Sequence, residues 1–214
     1  MNVLVVGANG QVARHTLTKL SEKGYRPIAM IRDEEQANEL KQLGAVETVV
    51  GDLEQNIDHL FTIHQIDAIV FAAGSGGHTG ADKTILIDLW GAIKVTDTAE
   101  KYGVKRFVML SSMGTVDPDK SDRIRHYLVA KKLADEHLMR SKLTYTIVRP
   151  GSLVNEPAQG KIKLEEEIKV RDNTITREDV AIVLADVIER ENTFGQTFEI
   201  LNGDIPISDA LANV

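Results

Sequence analysis

The stretch Asn2-Val3-Leu4-Val5-Val6-Gly7-Ala8-Asn9-Gly10-Gln11-Val12-Ala13 settles the fold. A β-branched apolar run leads into two glycines three residues apart, and an amphipathic segment, Gln11–Lys23, begins at once. The spacing is G-x-x-G-x-x-A. Gly7 permits a tight turn, Gly10 permits close approach of the backbone to a pyrophosphate, and Ala13 is small enough for a helix to pack on a sheet. The helix start leaves backbone N–H groups unpaired and carries a partial positive charge, which suits phosphate. The pattern predicts a dinucleotide site in which Gly7, Asn9, Gly10, Gln11 and Val12 lie against the cofactor.

Working outward, short apolar runs alternate with longer amphipathic ones. Strands are predicted over Asn2–Val6, Pro27–Arg32, Val46–Val50, Ala68–Ala72, Arg106–Leu110, Thr144–Val148 and Thr197–Leu201. Continuous apolar runs of this kind belong to strands buried on both faces. Helices are predicted over Gln11–Lys23, Glu34–Leu43, Ile57–His64, Asp82–Tyr102, Asp122–Ser141 and Arg177–Arg190. Gly24, Gly44 and Gly103 stand where a left-handed C-cap favours glycine. The alternation implies an α/β fold, a doubly wound parallel Rossmann sheet of order 3-2-1-4-5-6 with a seventh strand and helices on both faces. One domain is expected over residues 1–214. Residues 151–214 form a small substrate-side portion that is not independent. Within it, Asn155–Val170 is polar and irregular, and reads as a flap or a solvated connection.

Composition narrows the partners. The 214 residues carry a formal net charge of −7, with 43% hydrophobic and 27% charged residues and no cysteine. An acidic chain without a basic run is a poor fit for nucleic acid. No cysteine means no disulfide, thiol nucleophile or Cys-ligated zinc. No apolar run reaches membrane-spanning length, and no signal peptide is read, so a cytoplasmic protein is expected. The histidines, His59 and His64 among them, show no metal-ligand spacing. Monomer and homodimer both stay open; the outer faces of Asp82–Tyr102 and Asp122–Ser141 offer a dimer contact.

Further positions shape the cofactor site. Arg32 ends the second strand, where an acid holds an NAD ribose or an arginine accepts a 2′-phosphate. Its planar donors favour NADP, and the neighbouring Asp33 leaves NAD open. Asp52, followed by Leu53, is placed to accept from an adenine amino group, or else caps a turn. Ala72-Ala73-Gly74 is small enough for a cofactor to lie over the sheet edge.

Tyr127 and Lys131 share a helix face at i, i+4, and Ser111-Ser112 follows the fifth strand. An ammonium beside the phenol is expected to lower its pKa from about 10. The phenol would then exchange a proton with a substrate carbonyl or alcohol while a serine holds the same oxygen. Lys131 would also bond the ribose.

These motifs, with Val104-Lys105-Arg106-Phe107-Val108-Met109-Leu110 and Arg149-Pro150-Gly151-Ser152-Leu153, resemble the short-chain dehydrogenase/reductase superfamily over nearly the whole chain. The likeness is to its atypical NAD(P)-binding branch, which is related to NAD-dependent epimerase/dehydratases and has NmrA-like and flavin-reductase-like relatives. The resemblance implies that Ser112, rather than Ser111, acts in catalysis, with Ser111 beside the cofactor. It also implies that Pro150, Gly151, Ser152 and Leu153 pass beside the nicotinamide. Asp88 stands where the wider superfamily often has an active-site Asn; it is expected to hold a water or pair with Lys131. The resulting expectation is an NAD(P)-dependent oxidoreductase or epimerase-like enzyme acting on a small carbonyl or hydroxyl substrate. The alternatives are a non-catalytic NADP(H) sensor and a flavin or quinone reductase.

Overall fold

The computed structural model describes residues 1–63, 65–170 and 173–214. Its first half is the expected series: β1 (Asn2–Val6), α1 (Gln11–Glu22), β2 (Arg26–Ile31), α2 (Ala37–Gln42), β3 (Glu47–Val50), α3 (Asp58–Ile63) and β4 (Ala68–Phe71). His64, the predicted last residue of this helix, lies outside the described residues. Next come α4 (Ala81–Lys83), a π-helical run over Thr84–Gly91, α5 (Ala92–Lys101), β5 (Arg106–Leu110), α6 (Arg125–Arg140) and β6 (Thr144–Pro150). The C-terminal part adds β7 (Leu153–Val154), β8 (Lys161–Glu165), β9 (Ile175–Thr176), α7 (Arg177–Asp186), β10 (Gln196–Asn202), β11 (Ile205–Pro206) and α8 (Ile207–Ala212).

The main sheet has the order β11-β8-β10-β6-β5-β4-β1-β2-β3. From β3 to β6 it is parallel in the Rossmann order, and β10 extends it in parallel beside β6. Side chains alternate between faces along each strand. Val3, Val5, Ala29, Ile31, Val70 and Val108 pack with α1 and α7 on one side. Leu4, Val6, Ile28, Met30, Ile69, Phe71 and Phe107 pack with α5 and α6 on the other. Both faces are covered, which is why the strands read as continuous apolar runs.

Three segments depart from the sequence reading. The stretch expected to be irregular over Asn155–Val170 contains β8, antiparallel to β10, with Leu164 opposite Ile200. Its Lys-Ile-Lys-Leu-Glu alternation turns Ile162 into the core and leaves charges outward, so composition hid a strand. The flap is fastened at its tip: the amides of Gln159 and Gly160 donate to the Asp179 carboxylate at 2.9 and 2.8 Å. The helix expected over Asp82–Tyr102 is π-helical from Thr84 to Gly91. Such wide turns concentrate at functional sites, and this one brings Thr84 and Asp88 to its buried side. Lastly, β11 and α8 close the C-terminus, where no element was expected.

Candidate functional site

The glycine turn sits at the carboxyl edge of β1. Gly7 has φ 78°, a left-handed conformation. A Cβ on it would lie 2.5 Å from the Cα of Ala73, at the end of β4. The Gly10 amide donates to the Gly7 carbonyl at 2.9 Å and closes the turn. No side chain caps α1, and no acid occupies its first turn. Its first amides therefore have no side-chain cap among the described residues, the arrangement an anion needs. Asn9, Gly10 and Gln11 are exposed and Val12 is buried beneath them. The Asn9 side chain accepts from Arg14 at 2.9 Å, and Arg14 also pairs with Glu39. These residues fit a dinucleotide pyrophosphate.

Arg32 follows β2, is exposed, and has no ion pair among the described residues. Asp33 is already occupied in part, since its Oδ1 accepts from the Glu35 amide at 2.9 Å. Asp52 likewise caps its own turn, accepting from the Glu54 amide at 2.9 Å with one oxygen. Leu53 is buried, and Lys94 holds the carbonyls of Leu53 and Gln55. Ala72 and Ala73 are half-buried and Gly74 is exposed, leaving a low step at the end of β4. Gly151 and Leu153 are half-buried and Ser152 is exposed beyond β6, while Pro150 is buried.

Tyr127, Ser112 and Lys131 converge beside this step. The Tyr127 phenol and the Ser112 hydroxyl lie close enough for the serine to act on the phenol's titration. Ser112 also donates to the Met113 carbonyl at 3.2 Å. Lys131 is buried, 2% exposed, and its Nζ donates to the Leu110 carbonyl at 2.7 Å. The same nitrogen lies 5.8 Å from the centre of the Phe71 ring. The expected lowering of the Tyr127 pKa is corrected: burial, helped by the Asp88 and Asp135 carboxylates, pushes the phenol up to about 12 against the opposing influence of the Ser112 hydroxyl. The phenol is thus protonated at neutral pH. The expected Asp88–Lys131 pair is not made either. Asp88 Oδ2 accepts from the Ser75 amide at 2.9 Å and so anchors the glycine-rich loop after β4. Asp88 still acts on Lys131 through space, opposing the burial that lowers the lysine pKa.

Residues 7–191 match a family profile described as NAD(P)H-binding. The chain belongs to the NAD(P)H-binding family. Its place is the atypical branch of the short-chain dehydrogenase/reductase superfamily. This NAD(P)H-binding protein is 39% identical to YhfK of Bacillus subtilis, named an uncharacterized sugar epimerase, with 99% of each chain covered. A solved structure from Bacillus halodurans, titled for the NAD-dependent epimerase/dehydratases, shares 56% identity and a TM-score of 0.98 over 100% of both chains. The oxidoreductase ylbE of Lactococcus lactis shares 32% identity and a TM-score of 0.88, covering 100% of this chain and 96% of its own.

The sequence reading of this NAD(P)H-binding protein missed a buried network behind the site. Asp135, fully buried, accepts on Oδ2 from Ser111 Oγ at 2.8 Å and from Arg149 Nε and Nη2 at 3.0 and 2.9 Å. Its Oδ1 is buried with no hydrogen-bond partner. Ser111, expected beside the cofactor, therefore turns its hydroxyl inward to this acid. One signal was legible: Tyr127, Lys131 and Asp135 repeat at i, i+4, i+8 on α6. Glu199 is a second buried acid, accepting from the amides of Gly114 and Ile168 at 3.4 and 2.8 Å. It ties the loop after β5 to the one after β8.

Proposed function

We propose that this protein is an NADP(H)-dependent oxidoreductase of small carbonyl or hydroxyl compounds, with Tyr127 as the proton donor. The observation that carries the reading is the convergence of the Tyr127 phenol, the Ser112 hydroxyl and the buried Lys131 ammonium beside the low step of Ala72-Ala73-Gly74. The α1 amides and Gly7–Val12 would hold the pyrophosphate, and Arg32 the 2′-phosphate. Its exposure, and the engagement of one Asp33 oxygen with the Glu35 amide, favour NADP over NAD. Bound there, the nicotinamide supplies or takes up hydride.

The chain's own residues handle the proton. Ser112 and Tyr127 would both bond the substrate oxygen and fix its orientation. As charge develops on that oxygen, the Tyr127 phenol delivers its proton to it. Lys131, held against the Leu110 carbonyl, supplies a positive field behind the phenol. The names of the relatives, an epimerase and an oxidoreductase, agree with hydride chemistry.

The test is turnover of NADPH with an aromatic aldehyde and an aliphatic ketone as probes. Tyr127→Phe is expected to lose about a hundredfold or more in kcat, with NADPH affinity unchanged. A Phe variant as active as the parent would remove the catalytic assignment.

A further inference from the structure

We propose that Asp135 is a positioning residue of this site, keeping Lys131 in its ammonium form and locking the ends of β5 and β6 to α6. This rests on the proton-donor reading of Tyr127 given above. The geometry is specific. One carboxylate oxygen gathers three donors from two strands, Ser111 from the end of β5 and Arg149 from β6. Each donor is next in sequence to a site residue: Ser111 precedes Ser112, and Arg149 precedes Pro150-Gly151. Asp135 itself lies one helical turn beyond Lys131 and two beyond Tyr127, so a single side chain joins all three elements of the site.

Charge explains why a carboxylate stands there. Lys131 is buried among the Leu110 carbonyl of β5, the Phe71 ring of β4, Asp88 of the π-helical run and Asp135 of its own helix. Tyr127, a turn earlier, is neutral. Arg149 is a second cation, paired with Asp135 at 2.9 Å and almost as deeply covered. Two buried cations thus face two buried acids. Burial alone drives Lys131 towards the neutral amine, and the two carboxylates oppose it. With Asp135 neutral, Lys131 would keep only Asp88 against its burial, and a buried ammonium can give up its proton where a guanidinium does not. A neutral amine would no longer supply a positive field behind the phenol.

The experiment follows Lys131 by NMR of isotope-labelled lysine in the NADPH-bound protein, its signal assigned by loss in Lys131→Met. Asp135→Asn retains an acceptor for Ser111 and Arg149 but removes the charge. Its Lys131 midpoint should fall by about one pH unit or more, and Asp135→Glu should restore it. Asp135→Ser removes the charge with a shorter side chain and should lower the midpoint as well, so an unfolded Asp135→Asn leaves the idea open to refutation. An unmoved midpoint in either folded variant would overturn it. With the carbonyl probes, the alkaline fall of kcat in Asp135→Asn should shift to lower pH. A loss of equal size at every pH would mean a packing role only. The NMR titration needs no turnover, so its outcome is separate from that of Tyr127→Phe.

Discussion

Gly7 and Ala73 stand so close that a β-carbon on Gly7 would lie 2.5 Å from the Ala73 Cα. The ends of β1 and β4 meet there, and the contact sets the floor of the cofactor cradle. Gly7 is also left-handed, at φ 78°. Gly7→Ala thus combines a strained backbone with a clash against main chain that cannot swing aside. It should cost about 2 kcal/mol or more of stability and abolish NADPH binding. Thermal unfolding and a fluorescence titration check the two effects. A variant that binds NADPH as the parent does would place the cofactor elsewhere.

Arg32 should set the choice of cofactor. A charge-assisted hydrogen bond to phosphate contributes about 1.5–3 kcal/mol, or roughly ten- to a hundredfold in Kd. Arg32→Gln is expected to weaken NADPH by that factor and leave NADH unchanged. Calorimetry with both dinucleotides decides it; equal losses for the two would contradict a 2′-phosphate contact.

The raised Tyr127 pKa has a pH signature. Burial favours the neutral phenol, which is the form that donates, so carbonyl reduction should stay level through neutral pH and fall only on the alkaline side. Alcohol oxidation needs the phenolate. With the phenol at about 12, that form grows about tenfold per pH unit across the neutral range. Log kcat for oxidation should therefore rise with a slope near one. A flat oxidation profile would mean that another group takes the proton.

Arg106 is expected to matter for stability rather than for the site. It starts β5 at the opposite edge of the sheet, and burial lowers its pKa to about 10. Its guanidinium donates to the carbonyls of Ile188, Thr144 and Val187 and to the Thr146 hydroxyl, and lies 4.5 Å over the Phe194 ring. Arg106→Met would strand those carbonyls, for a loss of about 3 kcal/mol or more. Arg106→Lys should recover only part, since an ammonium cannot span the same fork. Denaturant unfolding measures the loss; NADPH affinity of the folded fraction should not change.

What the sequence determined by itself was whatever depends on near neighbours. Gly7 and Gly10 before an amphipathic run specify the turn, Arg32 falls at a strand end by counting, and Tyr127 with Lys131 follow from the helical repeat. Continuous apolar strands likewise imply a sheet covered on both sides. Tertiary structure alone decided which distant groups meet. Ser111 and Arg149 reach Asp135 only after β5, β6 and α6 have packed, and no local pattern separates a helix acid that gathers three donors from one that faces water. The phenol's rise, against the expected fall, has the same origin: a pKa is set by everything that surrounds the group, and here burial and the Asp88 and Asp135 carboxylates set it. The strand β8 was hidden for a related reason, since a chain segment with outward charges becomes a strand when β10 offers it an edge.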